Sequence, residues 1–125
     1  VQPWSNGKVG MNGISYYAMS QWPVAALQPP HLAAIIPWEG YSDIYRDRAR
    51  QGGIYGDFTD FWWNEHWISQ GEDMSDAVDW RVEFRQREFD DDWYAERRAD
   101  LSRITVPVLS AGNWGAFHTH LRGNV

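Results

Sequence analysis

The sequence contains no cysteine. That excludes disulfides, thiolate metal sites and a cysteine nucleophile, but it leaves the compartment open, since a secreted protein can also lack cysteine. Basic residues are the minority: 11 Lys and Arg stand against 17 Asp and Glu, a formal charge of −6. An acidic chain lacks the cations that nucleic-acid phosphates require, so no nucleic-acid partner is expected. No apolar run approaches the ~20 residues of a membrane-crossing helix, so no membrane partner is expected either. The first ten residues have neither the basic start nor the apolar centre of a signal peptide. Internal repeats and low-complexity tracts are also missing.

What remains is a globular composition. The chain has 125 residues, 43% hydrophobic and 22% charged, which suits one domain at most. A domain of that size buries roughly two-thirds of its unfolded surface. The chain opens at Val1 without a methionine and stops at Arg122-Gly123-Asn124-Val125, after a strand-like segment, so it reads as an internal fragment.

Three blocks differ in composition. In residues 1–40, Lys8 to Met11 reads as a short strand and Asn12-Gly13-Ile14-Ser15 as a sharp turn. The apolar spacing from Tyr16 to Leu27 predicts a helix with one buried face, kinked at Pro23. Leu32 to Ile36 is a continuous apolar run between Pro30 and Pro37, as in a strand buried on both faces. Strand, turn, helix and strand make a βαβ unit, hence an α/β fold with a parallel sheet. Residues 41–103 hold most of the charge and the aromatic residues Trp62, Trp63, Trp67, Trp80, Trp93 and Tyr94. Helices are expected over roughly 57–69 and from Asp90 to Ile104, the latter with Trp93, Arg97 and Leu101 four apart. This block reads as a helical insertion or cap. Residues 104–125 start with the strand Ile104 to Leu109 and continue into the loop Ala111-Gly112-Asn113-Trp114-Gly115. In open α/β sheets, ligands bind at that end of the strands.

The sharpest chemical signal is Gly10-Met11-Asn12-Gly13-Ile14-Ser15-Tyr16. A serine between a strand and a helix can sit on a strained turn that exposes its hydroxyl, the nucleophile elbow. A side chain at Gly13 would clash with such a turn. The Tyr16 N–H, at the helix start, is placed to stabilise a developing oxyanion. Tyr17 stands where the last glycine of Gly-x-Ser-x-Gly would be. On these few residues alone, an ordinary N-cap serine is the better reading.

The longer segment Trp4 to Tyr16 resembles the nucleophile segment of the CocE/NonD hydrolases, cocaine-esterase-like relatives of the Xaa-Pro dipeptidyl-peptidases. The match continues through Gln21-Trp22, Ala25-Ala26, Pro29-Pro30, Leu32 to Ile35, Glu39-Gly40, Asp43, Tyr45-Arg46 and Gly52-Gly53. Asp92-Trp93-Tyr94, Glu96-Arg97 and Ile104-x-Val106-Pro107-Val108-Leu109 resemble the return from cap to sheet. The resemblance implies an α/β-hydrolase core, residues 1–40 and 104–125, with a helical cap at 41–103. It maps Ser15 onto the nucleophile and Tyr16 onto the backbone oxyanion donor, with no metal and no organic cofactor. It places the second oxyanion donor before Val1 and the triad histidine after Val125. The family's usual acid follows Gly-Trp-x; aligning Trp114 puts Ala116 there. The chain resembles instead a subgroup with Asn-Trp-Gly and a later His-x-Arg-Gly-Asn, so either the acid lies beyond the chain or the triad is incomplete.

Other groups are less specific. His118 and His120 have the spacing of a metal pair, but no third ligand appears at a recognisable distance, so they read as loop or structural histidines. His120 follows the strand carrying the acid loop and could approach the active site. His66 reads as a packed or half-exposed residue, and His31 as a surface one. Glu39 and Asp43, with Arg46, follow the second strand; they either shape a substrate pocket or form a salt-bridged loop anchoring the cap. Tyr17, Trp38 and Trp114 are further pocket candidates. Asp90-Asp91-Asp92 is explained by the macrodipole at a helix start. Phe58, Phe61, Trp62, Trp63, Trp67 and Trp80 read first as core of the cap, then as lining of an apolar pocket.

The leading expectation is a serine hydrolase acting on a small-molecule ester or a peptide through an acyl-enzyme on Ser15. The alternative is an aromatic-rich carbohydrate-binding module, which needs several of Trp62, Trp63, Trp67 and Trp80 exposed and coplanar. With no base assigned within it, the isolated 125-residue chain should show no ester turnover; turnover that disappears in Ser15→Ala would overturn this.

Overall fold

Val9–Ile14 forms β1 and Leu32–Trp38 forms β2, paired in parallel with Met11 opposite Ile35 and Ile14 opposite Trp38. A computed structural model describes residues 2–68, 77–116 and 120–124; the side chains of 66–68 and 116 fall outside the described residues. The crossover between the strands carries two short helices, α1 (Tyr16–Met19) and α2 (Gln21–Ala26), which completes the expected βαβ unit. Several local expectations shift. Asn12, Gly13 and Ile14 belong to the strand rather than to a turn, because each pairs with a residue of β2. The chain reverses at Ser15 alone. The helix breaks at Ser20, not at Pro23, which falls in the first turn of α2, where a missing N–H costs nothing.

β2 also departs from expectation. It runs on through Pro37 to Trp38, and burial alternates: Ile35 and Pro37 are buried while Ile36 and Trp38 are exposed. Pro37 fits inside the strand because its carbonyl is what the ladder uses, accepting from Ala111 N–H at 3.1 Å. The third strand-like segment starts later than Ile104. Pro107 C=O accepts from Ile35 N–H at 3.1 Å, and Leu109 N–H donates to Ile35 C=O at 3.1 Å. Single parallel bridges, Ile35–Val108 and Trp38–Ala111, mark the pairing. Ile104 instead ends a 3-10 turn, Leu101–Arg103, started by the Asp100 carboxylate.

One core lies under this sheet. Trp22 and Ala25 of α2 pack on Ile35, with Met11, Leu32, Ala99, Ile104 and Val106 around them. Gln21 is fully buried there, and its amide is fully used: Nε2 donates to Tyr17 C=O at 2.9 Å, while Oε1 accepts from Ile36 N–H at 3.0 Å. The first bond ties the two crossover helices together and the second ties them to the strand, satisfying groups that would be costly if buried bare.

Residues 41–103 build a second core. A π-helical turn, Tyr45–Ala49, leads to a small hairpin of β3 (Arg50–Gln51) and β4 (Ile54–Tyr55). α3 (Phe58–Trp62) continues as a π-helical turn, Trp63–Ile68, matching the expected helix in place but not in winding. α4 (Trp80–Gln86) was not anticipated; its local signal is Asp79, whose side chain accepts from Arg81 N–H, followed by Trp80 and Phe84 on one face. The long helix expected from Asp90 to Ile104 is only α5 (Asp92–Ala95). Asp91 caps its start, accepting from Trp93 N–H and Tyr94 N–H. Arg97 stacks on Trp93, 4.1 Å from the ring centroid, but Leu101 sits on the next turn, largely exposed. Ile44, Ala49, Phe84 and Tyr94 form the buried centre, walled by Tyr41, Tyr45, Tyr55, Trp80 and Trp93. Burial pushes the Tyr94 phenol up to about 12.

Charge fastens this core outside. Asp43 pairs with Arg46 at 2.8 Å and Arg98 at 2.9 Å, and Asp90 pairs with the same two arginines. The salt-bridged reading of Asp43 and Arg46 is thus what the geometry displays. Burial alone would raise the Asp43 carboxyl, but hydrogen bonds from Arg46 and the charges of Arg98 and Arg46 outweigh it and hold it below the ordinary 3.8. A carboxylate depressed on folding stabilises the fold above its unfolded pKa, and that contribution fades as pH falls below 3.8 through the folded value. Stability measured by urea unfolding should therefore fall as pH drops through and below 3.8, with a shallower fall in Asp43→Asn. Phe84 is fully buried among aromatic rings. Truncation to alanine should cost about 3–5 kcal/mol in the same assay.

Candidate active site

The site grows from the end of β1. Ser15 N–H donates to Trp38 C=O at 3.0 Å, the last rung between the two strands. Ala18 N–H and Met19 N–H both donate to Ser15 C=O at 2.9 Å, so α1 begins at once. Held from both sides, Ser15 adopts φ 58° and ψ −118°, a conformation that L-residues other than glycine rarely take. Gly13 makes the reversal possible: a Cβ there would overlap the Tyr17 side chain and backbone. Ser15 makes no capping hydrogen bond with its side chain, which removes the N-cap explanation of this residue. Its Oγ lies instead 3.3 Å from His120 Nε2. With the imidazole proton on Nδ1, Nε2 accepts the Ser15 hydroxyl hydrogen. Tyr16 opens α1, so its N–H has no acceptor within the helix and remains available to a ligand oxygen.

The expected pocket residues divide into groups. His120 reaches Ser15. Glu39 comes directly after the rung-forming Trp38, with φ 54° and its N–H bonded to Ala111 C=O at 2.8 Å. Its Oε1 is buried without a hydrogen-bond partner among the described residues. The two other carboxylates of this segment are already engaged: Asp43 with Arg46 and Arg98, Asp47 with Arg122. Asp43 therefore braces the middle block. Tyr17, Trp38 and Trp114 are exposed near the same ends of the strands, Trp114 on a short 3-10 turn, Trp114–Ala116. The loop Asn113 to Ala116, where the resemblance looks for the acid, contains no carboxylate.

A cavity of about 270 Å³ opens between the crossover helices and the middle block, lined by Tyr16, Trp22, Tyr41, Trp80 and Arg97 among others. Ser15 is not on its wall; Tyr16, the next residue, is. Among the described residues, no group of three or more His, Asp or Glu could hold a metal ion, and no helix is long and apolar enough to cross a membrane. His118 lies outside the described residues, as do the side chains of His66 and Trp67. His31 is exposed. Trp63 is buried, and Trp80 stands edge-on to Phe84 and Trp93, so these two indoles face the core rather than a shared outer plane.

Sequence reasoning placed His120 among loop histidines, with access to the site as one option. The signal that could have raised it is the subgroup pattern His-x-Arg-Gly-Asn, whose Arg122 and Asn124 bind the segment following β2.

This geometry can be set beside known proteins. The family profile for X-Pro dipeptidyl-peptidase (S15 family) matches residues 1–120. Two crystal structures of a CocE/NonD family hydrolase from Staphylococcus aureus are 38% identical in sequence and superpose with a TM-score of 0.75. Each match covers 98% of this chain and 22% of that hydrolase, so the chain spans about a fifth of the relative's length. Among curated proteins no match was found. Its α/β architecture is part of the CocE/NonD hydrolase fold. By sequence and by structure, the chain belongs to the X-Pro dipeptidyl-peptidase (S15) family of CocE/NonD hydrolases.

Proposed function

We propose that the protein containing this chain is a serine hydrolase that cleaves acyl esters or amides through an acyl-enzyme on Ser15. The observation that carries the reading is the strained strand-to-helix turn that presents Ser15 with no side-chain capping bond. Family membership supports hydrolysis as the reaction class.

The chemistry follows from these positions. Ser15 Oγ attacks the substrate carbonyl carbon while its proton passes to a histidine, the triad member that the resemblance places after Val125. The carbonyl oxygen gains negative charge, and the Tyr16 N–H is oriented to receive it. The imidazolium then gives its proton to the departing alcohol or amine as the acyl–oxygen or acyl–nitrogen bond breaks. Water, deprotonated by the same imidazole, attacks the acyl carbon and releases Ser15. Acyl esters are the broader expectation. Release of Xaa-Pro dipeptides needs in addition a recognition site for a free amino terminus; Asp43 and Asp47 are taken up by arginines, whereas Glu39 Oε1 has no hydrogen-bond partner among the described residues. Exposed Tyr17, Trp38 and Trp114 favour an apolar or aromatic acyl group.

The test is covalent labelling of the full-length protein that contains this segment. A fluorophosphonate probe should add one mass increment to the wild type and none to Ser15→Ala. A folded wild-type protein that takes no label would sink the reading.

A further inference from the structure

Glu39 follows the last residue of β2, the strand that lies between β1 and the third strand-like segment. Its backbone is fixed from several sides. Trp38, just before it, accepts from Ser15 N–H at 3.0 Å, and its own N–H donates to Ala111 C=O at 2.8 Å. Gly40, just after it, donates its N–H to Asn124 Oδ1 at 3.3 Å. A Cβ on Gly40 would overlap the Ala18 side chain of α1, so the chain there lies directly against the helix that Ser15 starts. Held in this way, Glu39 takes φ 54°, as Ser15 takes φ 58°. Two neighbouring strands therefore end in the same rarely occupied conformation, and such conformations gather at active sites and ligand clamps.

The Glu39 carboxylate differs from those that follow it. Oε1 is shut off from solvent and has no hydrogen-bond partner among the described residues. Asp43 and Asp47 are satisfied by arginines, and Asp47 also by the N–H groups of Ser42 and Asp43. A carboxylate oxygen taken out of water needs a donor to offset its desolvation. An imidazole N–H is such a donor, and a histidine that deprotonates a serine needs such an acceptor. The carboxylate fixes the imidazole tautomer and stabilises the imidazolium that forms as the serine proton arrives. The loop where the resemblance looks for this acid, Asn113 to Ala116, contains no carboxylate. The end of β2 is the adjoining strand end, one strand nearer to Ser15.

We propose that Glu39 is the acid of the triad, a positioning residue carried at the end of β2 instead of after the third strand-like segment. It accepts the N–H of the histidine that serves Ser15. This rests on the reading of Ser15 as nucleophile and on a histidine base, the one that the resemblance places after Val125. As the Ser15 Oγ–carbon bond forms, the hydroxyl proton moves to one imidazole nitrogen. The other nitrogen keeps its proton and donates it to Oε1, and Glu39 stays ionised throughout.

The experiment is inactivation of the full-length protein by a fluorophosphonate probe without an ammonium group, resolved into reversible binding and the covalent step across pH. Glu39→Gln preserves the shape of the side chain. It should slow the covalent step by at least about 10²-fold near neutral pH and leave reversible binding within a factor of about three. It should also move the acidic limb of the pH profile to lower pH, because an imidazolium deprived of its carboxylate releases its proton more readily. A wild-type covalent rate and an unmoved limb in Glu39→Gln would overturn the proposal. So would a loss confined to the binding of cationic substrates, which would make Glu39 the receptor of a substrate ammonium. Should Glu39→Gln not fold, Glu39→Asp replaces it. That variant keeps the charge but withdraws it by one methylene, and should slow the covalent step about tenfold; a wild-type rate there would equally overturn the proposal. Ser15→Ala reports separately on the underlying reading: label that forms in it as fast as in the wild type removes Ser15 as the nucleophile, whereas label lost in Ser15→Ala but unchanged in Glu39→Gln removes only Glu39.

Discussion

The hydrogen bond from Ser15 N–H to Trp38 C=O, 3.0 Å long, closes the ladder between β1 and β2, and the site depends on it. Parallel strands finish at the same edge of a sheet, so a serine just past one strand necessarily lies beside whatever follows its neighbour. Glu39 N–H then bonds to Ala111 C=O at 2.8 Å, which carries the same edge across to the third segment. A non-glycine residue in such a backbone conformation costs on the order of 1–3 kcal/mol, and it persists only where neighbours over-determine it. Here the neighbours are that rung, the two N–H groups of α1 that bond to Ser15 C=O, and the bare face of Gly13 against Tyr17.

The middle block acts on this edge through residues 40–47. Its aromatic core fixes Ile44 and Ala49, and its ion pairs fix Asp43. Exposed ion pairs taken singly contribute little, but Asp43, Arg46, Asp90 and Arg98 share partners, and a shared network resists the loss of any one contact. The same segment receives Arg122 and Asn124 on its other side. Thus the stretch that follows β2 connects sheet, helical block and the turn bearing His120.

Local chemistry explains which elements could be read in advance. β1, β2 and the intervening helices show up because their apolar spacing is short-range, and Gly13 because its neighbour Tyr17 is only four residues away. The helix expected from Asp90 to Ile104 fails for an equally local reason that periodicity does not weigh. Asp91 and Asp100 both accept backbone N–H bonds, so the segment is cut into α5 and a 3-10 turn. α4 escaped because its apolar face is only Trp80 and Phe84, too sparse to stand out among so many aromatic residues. The strand at 104–109 shifted because its start is decided by which carbonyl meets Ile35 N–H, and that carbonyl is Pro107's.

By itself the sequence set a strand, Ser15 and a helix in succession, with Gly13 two residues before the serine, and the geometry there is fixed by sterics within a few residues. It also determined that residues 41–103 would be aromatic inside and charged outside. Tertiary structure alone decided what stands opposite Ser15. His120 is 105 residues away, and its position in the chain does not by itself show that it meets Ser15. It reaches the serine because Arg122 finds a buried carboxylate and Asn124 finds Gly40, contacts that exist only once the segment after β2 has been folded against both cores.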